Sequence, residues 1–256
     1  MYTDTHCHLT DKRYNSTSDI IEKFEENNLS LAITVGYDYN SSTEGFEITK
    51  NNPNVYCALG VHPHDCKTLN DRMLLDFEKL STDKKVVAIG EIGLDYHYEG
   101  FDKAVQQDAF IRQLEFANQL KLPVIIHSRD ATLDLNNILK DNKRFLNNRG
   151  IMHCYSESAE LVNFYIDLGF YISFAGPLTY KNARIPVEAL KKVPFECLLS
   201  ETDCPYLTPE PYRGQLNYPY YVKYVVEKMS EILMIKKEQL CSIIHDNTRN
   251  LFNRIR

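Results

Sequence analysis

The sequence predicts an α/β protein of the (β/α)8 class, a TIM-type barrel. Short apolar runs rich in β-branched residues alternate with longer segments of helical periodicity along the whole chain. Eight such runs are present, and none has the polar character of an edge strand. Residues able to bind metal or transfer protons follow several of them. We therefore expect a single barrel domain over residues 1–256, with a metal site at the carboxyl ends of the strands.

The eight predicted strands are short and apolar. They are Tyr2–His6, Leu31–Val35, Val55–Leu59, Val86–Ile89, Val124–His127, Ile151–His153, Tyr171–Phe174 and Glu196–Leu199. A doubly wound open sheet is the competing fold. That fold would more often place a glycine-rich phosphate turn after the first strand, where this chain has His6-Cys7-His8. The barrel is therefore favoured.

The predicted helices share an apolar stripe at helical spacing. They are Ser18–Asn28, Ser42–Asn51, Asp102–Lys121, Asp130–Asp141, Glu157–Leu168, Pro186–Lys192, Tyr220–Leu233 and a tail around Lys237–Ile255. The clearest is Asp102–Lys121, whose stripe is wide and continuous. For the second helix we expect a serine N-cap and an end before Pro53.

Composition restricts the class of protein. Hydrophobic residues make up 43% of the chain, and no apolar run approaches the roughly 18 residues of a membrane span. The net charge of −6 does not indicate nucleic-acid binding without a local basic patch or a bound metal. The seven cysteines contain no Cys-x-x-Cys pair. We expect free thiols, no secretory signal and a cytoplasmic location.

A His-x-His pair closes the first predicted strand. His6 and His8 are two residues apart, so an extended strand projects both imidazoles to one face and Cys7 to the other, toward the barrel's packing. Neutral imidazole is the commonest nitrogen ligand of divalent ions. An isolated pair is as often a surface feature as half of a metal site. The other strand ends must therefore be considered.

Further histidines and acids follow the other predicted strands. In chain order they are His62 and His64, Glu91 and Asp95, His127, His153 and Asp203. One histidine after a strand is more often structural, because imidazole caps strand ends and bonds loop carbonyls. In a barrel, however, the carboxyl ends of all the strands meet at one face. The whole set therefore predicts one site.

The residue types predict metal-dependent hydrolysis. Imidazole and carboxylate ligands suit Zn²⁺ or Mn²⁺, with Mg²⁺ possible where water contributes. Six candidate ligands exceed what one four-coordinate catalytic ion uses together with its water. Two ions about 3.5–4 Å apart, bridged by a carboxylate, fit better. A carboxylate at the eighth strand can bind one ion and also take a proton from water.

Six stretches along the chain carry these residues, and a seventh follows them. They are Asp4-Thr5-His6-Cys7-His8-Leu9, Gly60-Val61-His62-Pro63-His64, Gly90-Glu91-Ile92-Gly93-Leu94-Asp95-Tyr96, His127-Ser128-Arg129-Asp130-Ala131, His153-Cys154-Tyr155-Ser156, Glu201-Thr202-Asp203-Cys204-Pro205-Tyr206-Leu207 and Tyr212-Arg213-Gly214-Gln215-Leu216-Asn217-Tyr218-Pro219. With these stretches in this order, the chain resembles the TatD-type metal-dependent deoxyribonucleases, a branch of the amidohydrolase-like barrels, over essentially its whole length.

The resemblance implies a role for each candidate. It divides the ligands between two ions: His6, His8 and Asp203 on one, His127 and His153 on the other, and Glu91 bridging both. Asp203 would also act as general base. His62, Arg129 and Arg213 would contact substrate, and Asp95 would orient loops or ligands.

Aromatic residues and two departures concern the substrate loops. Tyr96, Tyr155 and Tyr206 could stack on bases. The family's sixth-strand motif usually continues with glycine where this chain has Glu157, and an acid often follows the first motif where it has Thr10. These departures concern substrate-loop detail and leave the implied ligands intact.

Three functions follow from this sequence. The first is a two-metal deoxyribonuclease acting as a 3′-exonuclease on single-stranded DNA, with no membrane or obligate protein partner. The second is hydrolysis of another ester or amide, such as an aminoacyl-tRNA ester, a lactone or a small cyclic substrate. Related barrels with such activities often bridge their ions with a modified lysine, whereas here the fourth strand supplies Glu91. The third is a non-catalytic binding barrel, which would not require all six ligands together.

Overall fold

The structure, a computed structural model, describes residues 1–255 and contains an eight-stranded parallel sheet. The strands are β1 (Tyr2–Cys7), β2 (Leu29–Val35), β3 (Val55–Leu59), β4 (Val86–Asp95), β5 (Val124–Arg129), β6 (Gly150–Met152), β7 (Phe170–Phe174) and β8 (Leu198–Ser200). They pair in chain order from β1 to β8. Cys7 then forms an isolated parallel bridge with Cys204, which brings the first and last strands together. This confirms the predicted (β/α)8 fold.

Helices connect the strands and cover the sheet. They are α1 (Thr17–Glu22), α2 (Tyr39–Lys50), α3 (Asp71–Leu80), α4 (Lys103–Leu120), α5 (Thr132–Asp141), α6 (Val162–Asp167), α7 (Arg184–Leu190), α8 (Val222–Leu233) and α9 (Lys237–Leu251). None of them is long and apolar enough to span a membrane. All seven cysteines are free thiols. The expectation of one domain over residues 1–256 stays a prediction.

The helix α3 is absent from the sequence prediction. Its signals are nevertheless present, because the Asn70 side chain accepts a hydrogen bond from Met73 N at 3.1 Å and so caps the helix. Met73 and Phe77 follow at helical spacing, but only Phe77 is completely buried. An amphipathic helix with one fully buried residue gives a weak apolar signal, which explains the omission.

Several predicted boundaries are wrong by a few residues. The serine N-cap of α2 is wrong: Asp38 is the cap, and its side chain accepts a hydrogen bond from Ser41 N at 2.7 Å. Ser42 instead lies inside the helix and donates to Gly60 O at 3.1 Å. Residues 195–197 form a short 3-10 helix, so the last strand starts at Leu198. The longest extension is that of β4, which continues to Asp95 and carries Glu91 within the strand.

Two apolar layers follow from the alternation of side chains along the strands. One set, including Ile33 and Ile125, fills the barrel interior together with Phe252 from the end of the chain. The opposite set packs against the helices and includes Cys7, whose Sγ donates to Ile33 O at 3.3 Å. Cys7 therefore points away from the barrel axis, as the alternation in the first strand predicts. His6 and His8 are left on the inner side.

Candidate metal centre

His6 and His8 lie side by side at the carboxyl end of β1. Their Nε2 atoms are 3.3 Å apart, and both side chains are buried. His8 Nδ1 donates to Val35 O at 2.9 Å, because a carbonyl oxygen can only accept. This hydrogen bond fixes the tautomer and leaves the Nε2 lone pair of His8 free for a ligand.

Asp203 approaches this pair from the far end of the chain. It follows β8 in a left-handed conformation with φ of 56°, which aspartate adopts more readily than most residues. Its backbone N–H donates to His6 O at 2.9 Å. Its Oδ1 lies 3.3 Å from His8 Nε2 and 3.7 Å from His6 Nε2. The three side chains therefore surround one common point.

Glu91 lies between two groups of histidines. Its Oε2 lies 3.4 Å from His6 Nε2 and 3.7 Å from His8 Nε2. Its Oε1 lies 2.8 Å from His127 Nδ1 and 2.9 Å from His153 Nε2. Each carboxylate oxygen thus faces a different group, which is the arrangement a bridging carboxylate requires.

His127 and His153 complete the second group. His127 Nδ1 lies 3.2 Å from His153 Nε2. The outer nitrogen of each ring faces a buried carboxylate, with His127 Nε2 3.1 Å from Asp95 Oδ2 and His153 Nδ1 3.2 Å from Glu201 Oε1. Such outer partners orient metal-binding imidazoles in proteins. The position of Asp95 agrees with its expected orienting role.

Comparison with known proteins identifies the family. The family model described as TatD related DNase matches residues 3–253. The chain belongs to the TatD family.

Individual TatD-family relatives cover almost the whole chain. The uncharacterized metal-dependent hydrolase YabD of Bacillus subtilis is 41% identical over 253 residues, which are 98% of this chain and 99% of that protein. The uncharacterized metal-dependent hydrolase YcfH of Escherichia coli K12 is 35% identical, over 98% of this chain and 95% of its own length. The crystal structure of YJJV, a TatD homolog from Escherichia coli K12, has a TM-score of 0.92 at 28% identity and covers 98% of both chains. The protein is therefore a metal-dependent hydrolase of the TatD family.

The donor set fits divalent metal ions. Five groups of three His, Cys, Asp or Glu residues within residues 1–255 have ligand atoms that lie within 4.8 Å of one another, and two of them contain the predicted ligands: His6, His8 and Asp203, and Glu91, His127 and His153. Both combine imidazole with carboxylate, as Zn²⁺ and Mn²⁺ sites do. The six side chains meet as the sequence predicts, and their individual roles as ligands stay a prediction.

Electrostatics keep the acids of this TatD-family centre charged. Burial would raise the pKa of Glu91, but His153 and His62 hold that pKa well below its ordinary value. Burial likewise opposes ionisation of Asp203, yet the hydrogen bond with His8 and the charge of His6 keep its pKa low. Two ionised carboxylates facing four imidazoles supply the negative charge and the donor atoms that a cation site needs.

The predicted substrate residues lie at different distances from this centre. A cleft of about 990 Å³ opens above the ligands and is lined by His62, Arg129 and Tyr206. Arg213 is not among the lining residues, and its guanidinium lies 4.1 Å above the ring of Tyr180. The substrate contact expected of Arg213 stays a prediction.

His62 is the substrate-side residue nearest the proposed ligands. Its Nε2 lies 3.7 Å from Glu91 Oε1, and its Nδ1 accepts a hydrogen bond from His64 N at 3.2 Å. Burial lowers the pKa of His62 to about 3, although the charge of Glu91 opposes that shift. The ring is therefore neutral at pH 7, and its Nε2 faces Glu91.

Two of the three predicted stacking residues already make contacts within the protein. Tyr96 stacks on Phe101 at 4.9 Å and does not line the cleft. Tyr155 lines the cleft but is buried, and its hydroxyl donates to Ser158 O at 2.8 Å. Tyr206 is 47% exposed, so it is the most accessible ring of the three.

Two buried acids of the centre have no role in the sequence prediction. Asp4 Oδ1 accepts hydrogen bonds from His6 N at 3.2 Å and Thr202 N at 2.9 Å, and its Oδ2 accepts from Thr202 Oγ1 at 2.6 Å. Glu201 is completely buried beside His153. Both precede a candidate ligand by two residues, His6 and Asp203 respectively. Strand alternation could have indicated them, since acids within apolar strand runs are rarely buried without a partner.

Proposed function

We propose that this TatD-family hydrolase is a deoxyribonuclease that removes nucleotides from the 3′ end of single-stranded DNA with the help of two divalent ions. The observation that carries the proposal is the position of Glu91, whose two oxygens face separate groups of ligands. Two-ion sites bridged in this way are typical of enzymes that cleave phosphodiesters. The family model's description as a DNase supports the choice of DNA.

In this proposal every ligand except Glu91, which lies within β4, comes from a strand end or the residues just after it. His6, His8 and Asp203 would hold one ion, His127 and His153 the other, and Glu91 both. Two such ions lower the pKa of a bound water and stabilise charge on the phosphate oxygens. The ions could be Zn²⁺, Mn²⁺ or Mg²⁺.

Asp203 would be the general base. Its side chain is 15% exposed and lines the cleft, so a water above the ligands is within its reach. Its low pKa keeps it ionised at neutral pH. The carboxylate can therefore accept the proton of the attacking water as the phosphodiester bond is cleaved.

The two sides of the cleft differ in character. Arg129 and His62 belong to the side near β3–β5, where a cation and polar groups can contact phosphate. The side near β7 and β8 presents Ala175, Pro177 and Leu207, which suit the flat apolar face of a base. Tyr206 lies at the rim, with one ring face covered by Arg13 at 4.0 Å. A cleft with these two sides would admit one strand, and the bound ions would offset the repulsion between phosphate and a chain of net charge −6.

A labelled oligonucleotide assay tests the proposal. A single-stranded oligonucleotide, labelled at either end, is incubated with Mn²⁺ or Mg²⁺ and the wild type, Asp203→Asn or the matched control Asp11→Asn. We expect shortening from the 3′ end by the wild type and the control, and at least a hundredfold slower cleavage by Asp203→Asn. Equal cleavage by all three proteins would assign the activity to a contaminant.

The second function shares the same centre. It is hydrolysis of another ester or amide. In that case none of the three proteins cleaves DNA, and the wild type hydrolyses a generic carboxyl ester. A binding role without catalysis predicts that all variants are equally inactive on every substrate. We also propose a cytoplasmic location, since the seven free cysteines suit a reducing compartment.

A further inference from the structure

Glu201 lies beneath the metal centre with one oxygen unpaired. Its backbone N–H donates to Phe174 O at 3.1 Å, directly after β8, and its side chain is completely buried. Its Oε1 lies 3.2 Å from His153 Nδ1. Its Oε2 has no hydrogen-bond partner. A buried carboxylate oxygen without a partner is costly and requires an explanation.

The complementary unpaired atom belongs to His6. His6 Nδ1 is also buried without a partner, and only four such side-chain atoms exist within residues 1–255. The rings of His6 and His153 stack, with centroids 4.1 Å apart and an interplanar angle of 17°. Both rings direct Nε2 toward Glu91. Their Nδ1 atoms therefore face the opposite side, where Glu201 lies.

The other three imidazoles of the centre already have outer partners. The nitrogen turned away from the centre faces Val35 O in His8, Asp95 in His127 and Glu201 in His153. His6 alone lacks one. A nitrogen of His6, a nitrogen of His153 and an oxygen of Glu201 lie within 4.8 Å of one another. His6 and Glu201 are thus neighbours that each keep one buried polar atom unpaired, and a small shift of either side chain would bring the two into hydrogen-bond contact.

We infer that Glu201 is a positioning residue for both His6 and His153. Its two oxygens accept the Nδ1–H groups of the two stacked rings, which fixes both in the tautomer whose Nε2 lone pair faces the centre. The inference rests on the proposed ligand assignment, in which His6 and His153 belong to different ions. One carboxylate then orients one ligand of each ion, whereas Asp95 faces only His127 among the proposed ligands and contacts His64 besides.

Binding of Zn²⁺ to the full chain tests this role. After removal of bound metal, we would measure the two dissociation constants of wild type, Glu201→Ala, Glu201→Gln and the control Asp95→Asn by calorimetric titration. Loss of an outer partner typically weakens metal affinity by about 10–100-fold. We expect Glu201→Ala to weaken the binding of both ions and Asp95→Asn to weaken the binding of only one. Glu201→Gln keeps the side-chain size but offers a single acceptor oxygen, so the binding of at least one ion should be weaker.

Nitrogen-15 spectra of the histidines in the Zn²⁺-loaded protein provide a readout that a purely structural role would not change. We expect hydrogen-bonded Nδ1–H signals from His6 and His153 in the wild type. Glu201→Ala should shift both signals, and Asp95→Asn should shift neither of them. Circular dichroism in chelator verifies folding, and Glu201→Gln replaces Glu201→Ala if the latter does not fold.

The possible outcomes separate the inference from the proposed function. If the wild type binds two ions and the Glu201 variants change the His153 signal alone, or change neither dissociation constant by more than twofold, the inference is wrong. If the wild type binds no Zn²⁺, the proposed metal centre is wrong and the inference fails with it. The inference is supported if Glu201→Ala weakens the binding of both ions and shifts the Nδ1–H signals of both His6 and His153.

Discussion

The Asp4 carboxylate connects β1 with the residues after β8, and its removal should destabilise the barrel. It accepts hydrogen bonds from the N–H groups of His6 and Thr202 and from the Thr202 hydroxyl. The hydroxyl can rotate to another acceptor, but Asp4→Ala leaves two buried N–H groups unsatisfied at about 1–3 kcal/mol each. Burial raises the pKa of Asp4 well above its ordinary value, which shows that burying the charged carboxylate is itself unfavourable. Removing the acid therefore offsets part of the loss from the two unsatisfied N–H groups. We expect a loss of about 3 kcal/mol.

Urea unfolding in the presence of chelator measures this loss. Asp4→Asn keeps an oxygen for both N–H groups and should cost only about 1 kcal/mol. The matched control is Asp11→Ala, which removes an ion pair with Arg13 at 2.8 Å. Because the Arg13 side chain is 44% exposed, that pair contributes less than about 1 kcal/mol. The reasoning is refuted if Asp4→Ala loses no more stability than Asp11→Ala.

Three further predictions concern the centre and its support. Gly93 has φ of 143°, and an added Cβ would lie 2.0 Å from His127 O, so Gly93→Ala should lower the free energy of unfolding by about 3 kcal/mol. The control Gly100→Ala should lower it by about 1 kcal/mol, because no atom lies within 4 Å of a Cβ added there, and equal losses would contradict the prediction. Chelation should lower the melting temperature, since an ion at 100 times its dissociation constant contributes about 2.7 kcal/mol; an unchanged melting curve would count against a bound ion. Burial lowers the pKa of His62 from 6.5 to about 3, so the unfolded chain takes up a proton that the native protein does not, and stability without metal should fall as pH drops through this window by up to about 1.4 kcal/mol per pH unit. His62→Gln should flatten that slope in urea titrations at several pH values, and an identical slope would show that other groups dominate.

The ligand convergence is predictable from the sequence because a barrel topology brings every strand end to one face. His6 and His8 share a face through the strand alternation at the end of β1. A wrong strand boundary of a few residues did not affect this result. Glu91 does not follow from alternation, because the register of β4 shifts between Ile89 and Ile92, which both pack on the helix side, and Glu91 faces the centre within this irregular stretch.

Other features depend on tertiary contacts that no local pattern contains. The left-handed conformation of Asp203 is set by its hydrogen bond to His6 O, nearly the whole chain away. The nitrogen that each histidine turns to the centre depends on its outer partner, such as Val35 O for His8. The guanidinium of Arg213 packs on the ring of Tyr180, a contact between separate loops.

The contact between the end of β1 and the residues after β8 has a consequence for biosynthesis. Glu91, His127 and His153 lie on or beside β4–β6, which emerge from the ribosome in succession. His6 and His8 emerge first, yet Asp203 joins them only after β8 has been made. A nascent chain can therefore assemble one half of the centre well before the other, and the proposed proton acceptor arrives last. An incompletely translated chain would carry most of the proposed ligands and lack the proposed general base.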